Sequence, residues 1–337
     1  MGEWVATATH RQTRTFLPPA DFCPLCPTKP GGFPTEIPEP TYDIVAFENR
    51  FPSLQPEPPA PAVEASELYP VRPGIGVCEV LVYTPHHDST LAREPVEQIH
   101  KLVEVWTDRF RALSAHDFVE YVFIFENKGE AIGVTLHHPH GQIYAYPFIP
   151  PRIERELEQS RAHQRETGRC LLCDILSNEQ TDGRRIVAEN DSFAAYVPFF
   201  ARYPYEVHIA STRHLQALTD LGDAERRDLA ALLKTVLAAY DKLFDLSFPY
   251  MMVLHQRPTD DGGDDYDYYH LHIEFYPPLR TATKLKYLAG SESGAGMFIN
   301  DTLAEEKAAE LRAHVAPVVW QTNRAAGEKS GEEADVD

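Results

Sequence analysis

HPHGQIYAYPF, residues 138–148, sets two histidines and a glutamine at alternate positions and then continues as an alternating apolar run. On a strand, residues two apart share a face, so His138, His140 and Gln142 point the same way. A second stretch, HLHIEFYPP at 270–278, repeats the pattern with Glu274 in the place of the glutamine. Working back from each stretch, the preceding segments fall in one order. The first half runs FCPLCP (22–27), YDIVAFENRFPSL (42–54), CEVLVYTPHH (78–87), a helix, and EYVFIFENKG (120–129). The second runs CLLCDIL (170–176), RIVAENDSFAAYVPF (185–199), YEVHIASTRH (205–214), a helix, and YMMVLHQRP (250–258). Chance can align one or two landmarks, but a whole series in one order indicates internal duplication.

The two helices are read from their period. Val96, Ile99, Val103, Trp106, Phe110 and Leu113 mark one, with Pro95 at its first turn; Leu229, Leu232, Val236, Tyr240 and Leu243 mark the other. The strands are short, rich in Val, Ile, Tyr and Phe, and bounded by Gly, Pro and Asn. The expected fold is therefore α+β, with two duplicated halves of mainly antiparallel sheet flanked by helices. The first half covers residues 1–151 and the second 152–320, and the polar helical stretch 152–168 opens the second. FPSLQPEPPAPAVEASELYPVRPG (51–74) reads as a surface excursion, and residues 321–337 as a disordered tail.

Composition narrows the function classes. The chain has 337 residues, 43% of them hydrophobic, which suffices for a large core. Its formal net charge of -20 argues against broad contact with nucleic acid. No run is long enough to span a membrane, and MGEWVATATH lacks the layout of a signal peptide, so a cytoplasmic location is expected.

Four of the five cysteines fall in C-x-x-C pairs, Cys23 with Cys26 and Cys170 with Cys173. A redox pair would open a helix within a βαβ unit, and neither pair is expected in that setting. Zinc needs two further soft or borderline ligands for each pair. The duplication supplies them, His87 and His138 in the first half, His214 and His270 in the second. Two structural zinc sites are expected, Cys23/Cys26/His87/His138 and Cys170/Cys173/His214/His270. Cys78 is left over as a small buried hydrophobe.

With His138 directed at zinc, His140 is free beside a rigid neighbour. A neutral imidazole attacks phosphorus without prior activation, and the phosphoramidate so formed is a good leaving group. Gln142 can donate to a phosphoryl oxygen but cannot activate water, which favours transfer over hydrolysis. Upstream, Asn127, Lys128, Gly129, Gly133 and Thr135 are placed to serve a phosphate.

ENKG, HPHGQI, FYPP and the leading C-x-x-C together resemble the galactose-1-phosphate uridylyltransferase family of the histidine triad superfamily, over nearly the whole chain. The resemblance implies a double displacement. His140 would take the uridylyl group of UDP-glucose, release glucose 1-phosphate, and pass the group to galactose 1-phosphate. It makes Cys23, Cys26, His87 and His138 zinc ligands. It puts Asn127, Thr135 and Gln142 at the phosphates, and Asn49 and Phe51 near the uridine. Arg11 and Arg14 match positions that reach substrate across a homodimer interface, while Lys286 and Glu292 match positions near the hexose. Well-known members hold a second metal with one glutamate and three histidines. Here Glu156, His255 and His272 match three of these, but Glu274 stands at the fourth. Those members also lack a second C-x-x-C, so the second metal is expected to have moved to the Cys170 set. The alternatives are an adenylyl-transferring phosphorylase of the same superfamily, a histidine triad hydrolase, and a non-catalytic zinc-stabilised nucleotide-binding protein.

Overall fold

The computed structural model of the chain describes residues 4–9, 11, 18–260 and 262–320; Arg14 and the tail 321–337 lie outside the described residues. The β-branched and aromatic runs form strands β1 (Val45–Glu48), β2 (Val77–Val82), β3 (Tyr121–Lys128), β4 (His140–Tyr146), β5 (Ile186–Glu189), β6 (Phe193–Tyr196), β7 (Val207–Ser211), β8 (Tyr250–His255) and β9 (His272–Tyr276). All nine join one sheet in the order β1-β2-β4-β3-β8-β9-β7-β6-β5. Every pairing within it is antiparallel. Counted inward the order repeats: β1-β2-β4-β3 on one side matches β6-β7-β9-β8 on the other, where β5 adds one more strand outside β6. The two central strands, β3 and β8, pair from Ile124↔Leu254 to Lys128↔Tyr250 and make the sheet continuous.

The helices are α1 (Val96–Leu113), α2 (Pro151–Thr167), α3 (Leu171–Asp182), α4 (Asp223–Leu243) and α5 (Ala304–Arg312). All six periodic residues expected on α1 are buried, as are Leu229, Leu232, Val236 and Tyr240 of α4. Their apolar stripes pack with one face of the sheet in the main core, which includes Leu81, Ile124, Ile143, Leu254 and Ile273. Pro95 occupies the N-cap of α1, one position earlier than its expected place in the first turn. The polar stretch at the join of the halves is α2, closed by Gly168 at φ 73°. The excursion 51–74 is largely exposed and contains no strand or helix.

One expectation needs correction. Cys170 is the N-cap of α3 and Cys173 lies in its first turn, so the second C-x-x-C does open a helix. The helix forms because Leu176 of the run LLCDIL is buried against Ile186, Ala194 and Tyr196. The strand that follows is antiparallel to its neighbour, so the unit is still not βαβ.

Strand β4 alternates strictly. Gly141, Ile143 and Ala145 are buried on the helix-covered face, and His140, Gln142, Tyr144 and Tyr146 occupy the other. Gly141 is required for a packing reason: a Cβ there would overlap the Tyr83 hydroxyl and crowd the Phe125 carbonyl oxygen at 3.1 Å. Gly141→Ala is therefore expected to displace β4 and lower both thermal stability and turnover. An unchanged melting temperature together with unchanged kcat would show that Tyr83 yields without cost.

Close by on β3, Glu126 is buried in the core with Tyr250 Oη donating to one of its oxygens at 3.2 Å. Its other oxygen has no partner among the described residues. Burial raises this carboxyl from its ordinary 4.5 to about 7, with Lys128 and Tyr250 only partly opposing. The folded state then holds a proton that the unfolded state has already released, so stability falls as pH rises from 4.5 through 7. Relative to Glu126→Gln, the wild type should lose up to roughly 3 kcal/mol between pH 5 and pH 8 in urea titrations. Parallel pH profiles for the two proteins would refute this.

Candidate active site

The site forms on the first half of the sheet, on the face opposite α1 and α4. The register sets Val82 beside His140 and Val80 beside Gln142 on one flank, with Phe125 beside Gln142 on the other. A pocket opens there, lined by His140, Gln142, Val80, Phe47, Asn49, Arg50, Phe51, Thr135, Leu136, Arg11, Pro24, Leu25 and Glu36.

His140 is held by its own strand. Its Nδ1 donates to the His138 carbonyl oxygen at 2.7 Å, which leaves Nε2 as the nitrogen carrying the lone pair. Burial lowers its pKa, so the ring is neutral and nucleophilic near pH 7. Gln142 is fixed at its oxygen end, which accepts from Asn49 Nδ2 and from Tyr144 Oη, both at 3.4 Å. Its amide NH₂ remains to donate to a ligand. Asn49 is itself locked, its Oδ1 accepting from the Phe51 backbone N–H at 2.9 Å.

Behind His140 stands the first cysteine–histidine set. Single ligand atoms of Cys23, Cys26, His87 and His138 all lie within 4.8 Å of one another. The Cys26 sulfur is 3.4 Å from His87 Nδ1 and 3.5 Å from His138 Nδ1. His138 Nε2 donates to the Thr84 carbonyl at 2.7 Å, so Nδ1 is the nitrogen free for a metal. Burial and the adjacent Cys23 sulfur push the Cys26 thiol up to about 12. Two thiolates this close are costly without a cation between them, and two sulfurs with two imidazoles suit a tetrahedral divalent ion. Burial also holds His138 down to about 4, so it is neutral as a ligand must be.

The second set, Cys170, Cys173, His214 and His270, is assembled in the same way. The Cys173 sulfur lies 3.5 Å from His214 Nδ1 and 3.3 Å from His270 Nδ1, while His270 Nε2 is within 2.8 Å of Ser211 Oγ. The two thiols influence one another strongly, Cys170 being lowered and Cys173 raised.

The expectation that this set stands in place of the glutamate–histidine set is only half of what is seen. Glu156, His255, His272 and Glu274 are brought together as well. Glu156 Oε2 is 2.8 Å from His255 Nδ1, and Glu274 Oε1 is 3.5 Å from His272 Nε2. Arg152 spans the outer oxygens of both carboxylates, at 3.2 Å from Glu156 and 2.9 Å from Glu274. His272 Nδ1 meets the His270 carbonyl at 2.8 Å, which repeats the tie of His140 to His138.

Of the other expected residues, Arg11, Asn49, Phe51 and Thr135 line the pocket, and Arg11 hydrogen-bonds Ser53 Oγ. Arg14 lies outside the described residues. Asn127 is on β3 opposite Met251 and does not line this pocket. Lys128, a candidate phosphate group from the sequence, is instead tied to Asp241 at 2.9 Å, and Gly129 and Gly133 do not line the pocket either. Lys286 and Glu292 meet each other at 3.1 Å and do not line the pocket of their own chain. Glu36, Arg50, Phe47 and Leu136 went unread in the sequence. For Glu36 the available signal was a lone acid in the otherwise uncharged run GGFPTEIP.

A duplicated antiparallel sheet that aims a neutral histidine and a glutamine amide into a pocket suits a nucleotidyltransferase. Comparison with known proteins agrees. The family described as galactose-1-phosphate uridyl transferase matches with its N-terminal domain over residues 1–150 and its C-terminal domain over 156–323. The chain therefore belongs to the galactose-1-phosphate uridylyltransferase family. It is 47% identical to the galactose-1-phosphate uridylyltransferase of Thermotoga maritima, over 92% of this chain and 95% of that protein. A solved uridylyltransferase structure is 39% identical with a TM-score of 0.82, covering 93% of this chain and 95% of the other. An ADP-glucose phosphorylase from Arabidopsis thaliana is 25% identical with a TM-score of 0.69, covering 82% and 83%.

Proposed function

We propose that the chain moves a uridylyl group from UDP-glucose to galactose 1-phosphate by double displacement through His140. The observation that carries this reading is the tie of His140 Nδ1 to the His138 carbonyl, which leaves Nε2 as nucleophile beside the Gln142 amide. In the first step Nε2 attacks the α-phosphorus. A P–N bond forms, the bond from that phosphorus to the bridging oxygen breaks, and glucose 1-phosphate leaves with the electron pair. In the second step a phosphate oxygen of galactose 1-phosphate attacks the same phosphorus, and the P–N bond breaks to give UDP-galactose and free His140. Gln142 and Thr135 donate to the equatorial oxygens as charge grows there. Asn49 and Phe51 hold the uridine, Arg11 and Arg14 bring positive charge toward the phosphates, and Lys286 and Glu292 serve the hexose.

Zinc bound by Cys23, Cys26, His87 and His138 would clamp the segments that carry the pocket, a structural role in a closed four-ligand site. Cys170, Cys173, His214 and His270 would hold a second zinc. Because Lys286 and Glu292 do not line their own chain's pocket, a homodimer that brings them to a second copy's site fits best. A sedimenting monomer at micromolar concentration would remove that part of the reading. No helix is long and apolar enough to cross a membrane, and a cytoplasmic location is proposed from the reduced cysteine pairs.

The test is intact mass spectrometry after brief mixing with UDP-glucose and an alkaline quench, followed by peptide mapping. A uridylyl-sized increment on the His140 peptide is expected. An adduct formed from ADP-glucose but not UDP-glucose would favour the phosphorylase reading. Nucleotide binding with no adduct would leave only a binding protein. Gln142→His should raise the release of free UMP, since an imidazole can hand a proton to or from water where an amide cannot. UMP release equal to that of wild type would contradict the role given to the glutamine.

A further inference from the structure

Among the described residues Glu36 is the one acid lining a pocket that must receive a diphosphate, and its surroundings show how it is tolerated. Its backbone N–H donates to the Pro24 carbonyl at 3.0 Å, which anchors it to the Cys23–Cys26 loop. Arg50 Nη1 donates to Glu36 Oε1 at 2.8 Å from the other wall, directly after Asn49. Oε2 has no hydrogen-bond partner among the described residues. A carboxylate only accepts hydrogen bonds, so its ligand must offer donors, and the phosphates offer none at neutral pH. The apolar walls, Leu25, Phe47, Phe51 and Val80, suit the flat faces of a base. Between base and α-phosphate a nucleotide presents a ribose diol, and an acid reading ribose hydroxyls is a recurrent solution in nucleotide sites.

We propose that Glu36, oriented by Arg50, accepts a hydrogen bond from the ribose 2′-hydroxyl and makes the pocket selective for ribonucleotides over 2′-deoxyribonucleotides. Arg50 offsets the negative charge that would otherwise repel the phosphates, and it holds Oε1 so that Oε2 faces the sugar. The inference rests on the uridylyl-transfer reading and specifies the part of the donor substrate that the reading leaves open.

The experiment compares kcat/KM for UDP-glucose and its 2′-deoxyribo analogue, each with galactose 1-phosphate. In wild type the analogue should be poorer by roughly 10- to 100-fold, the range for a hydrogen bond to a charged group. In Glu36→Ala, UDP-glucose should fall toward the analogue and the ratio should collapse to within about threefold. Glu36→Gln, which keeps the shape of the side chain, should lower the ratio partway, and it provides the readout should the alanine variant fold poorly. Arg50→Ala should also lower the ratio by freeing the carboxylate. A wild type indifferent to the 2′-hydroxyl, or a Glu36→Ala or Glu36→Gln variant with the full wild-type ratio, would overturn the inference. An absent His140 adduct in wild type would instead sink the transfer reading itself, so the two failures are separable.

Discussion

His140→Gly is expected to lower uridylyl transfer by about 10⁶-fold, the scale seen when a covalent nucleophile is removed from a preorganised site. No neighbouring group can substitute. His138, two residues away, has Nε2 engaged with Thr84 O and Nδ1 directed at the Cys26 sulfur. Gln142 has no nucleophilic nitrogen. The fold should be unaffected, because residue 140 faces the pocket while Gly141 and Ile143 face the core. Added imidazole should restore part of the turnover in the glycine variant by entering the vacated space, whereas it should do nothing for wild type. Residual activity within about tenfold of wild type would show that His140 is not the nucleophile.

Cys23→Ser with Cys26→Ser is expected to produce the largest loss of stability. Binding of structural zinc by four such ligands is worth roughly 10–16 kcal/mol in small domains, comparable to the whole stability of an ordinary protein. Around this set lie Leu25, Ile37, Val80 and Val82, a small cluster on the face of the sheet away from α1 and α4. Without a metal the segment carrying Leu25 and Ile37 has little else to hold it against β2, and Pro24 and Glu36 leave the pocket wall with it. Zinc content, thermal midpoint and activity should therefore all fall. Cys170→Ser with Cys173→Ser should remove a second zinc and loosen α3, yet spare much of the activity, since none of that set lines the pocket. Zinc per chain measured by mass spectrometry separates the two variants. A wild type holding one zinc, or an unchanged content after the second pair is replaced, would refute the second site.

Strands and helices were legible because the chain states each period twice, once in each half. The stripe from Val96 to Leu113 and the alternation from His140 to Tyr146 both survive intact in the structure. The duplication also identified histidine partners for each cysteine pair across intervals too long for any spacing rule, as His87 and His214 illustrate. Some features escaped for physical reasons. Glu36 lies in an irregular Pro- and Gly-rich segment with no periodicity to orient it. Lys128 looked like a phosphate group because nothing in sequence announces Asp241, more than a hundred positions away, as its partner. The coexistence of the Cys170 set with the Glu156 set was hidden because a single sequence suggests substitution of one site by another, whereas only coordinates show both assembled.

The repeated tie between a histidine ring and the carbonyl two residues before it has a stoichiometric consequence. His140 and His272 are held alike, but the Nε2 of His272 faces carboxylates, with Glu274 Oε1 at 3.5 Å and Glu156 Oε2 at 4.0 Å. A phosphoanhydride approaching it would meet negative charge where His140 offers an open pocket. Duplication thus doubled the scaffold without doubling the reaction: each chain should carry one nucleotidyl equivalent at saturation, and the second histidine belongs instead to the group of Glu156, His255 and Glu274.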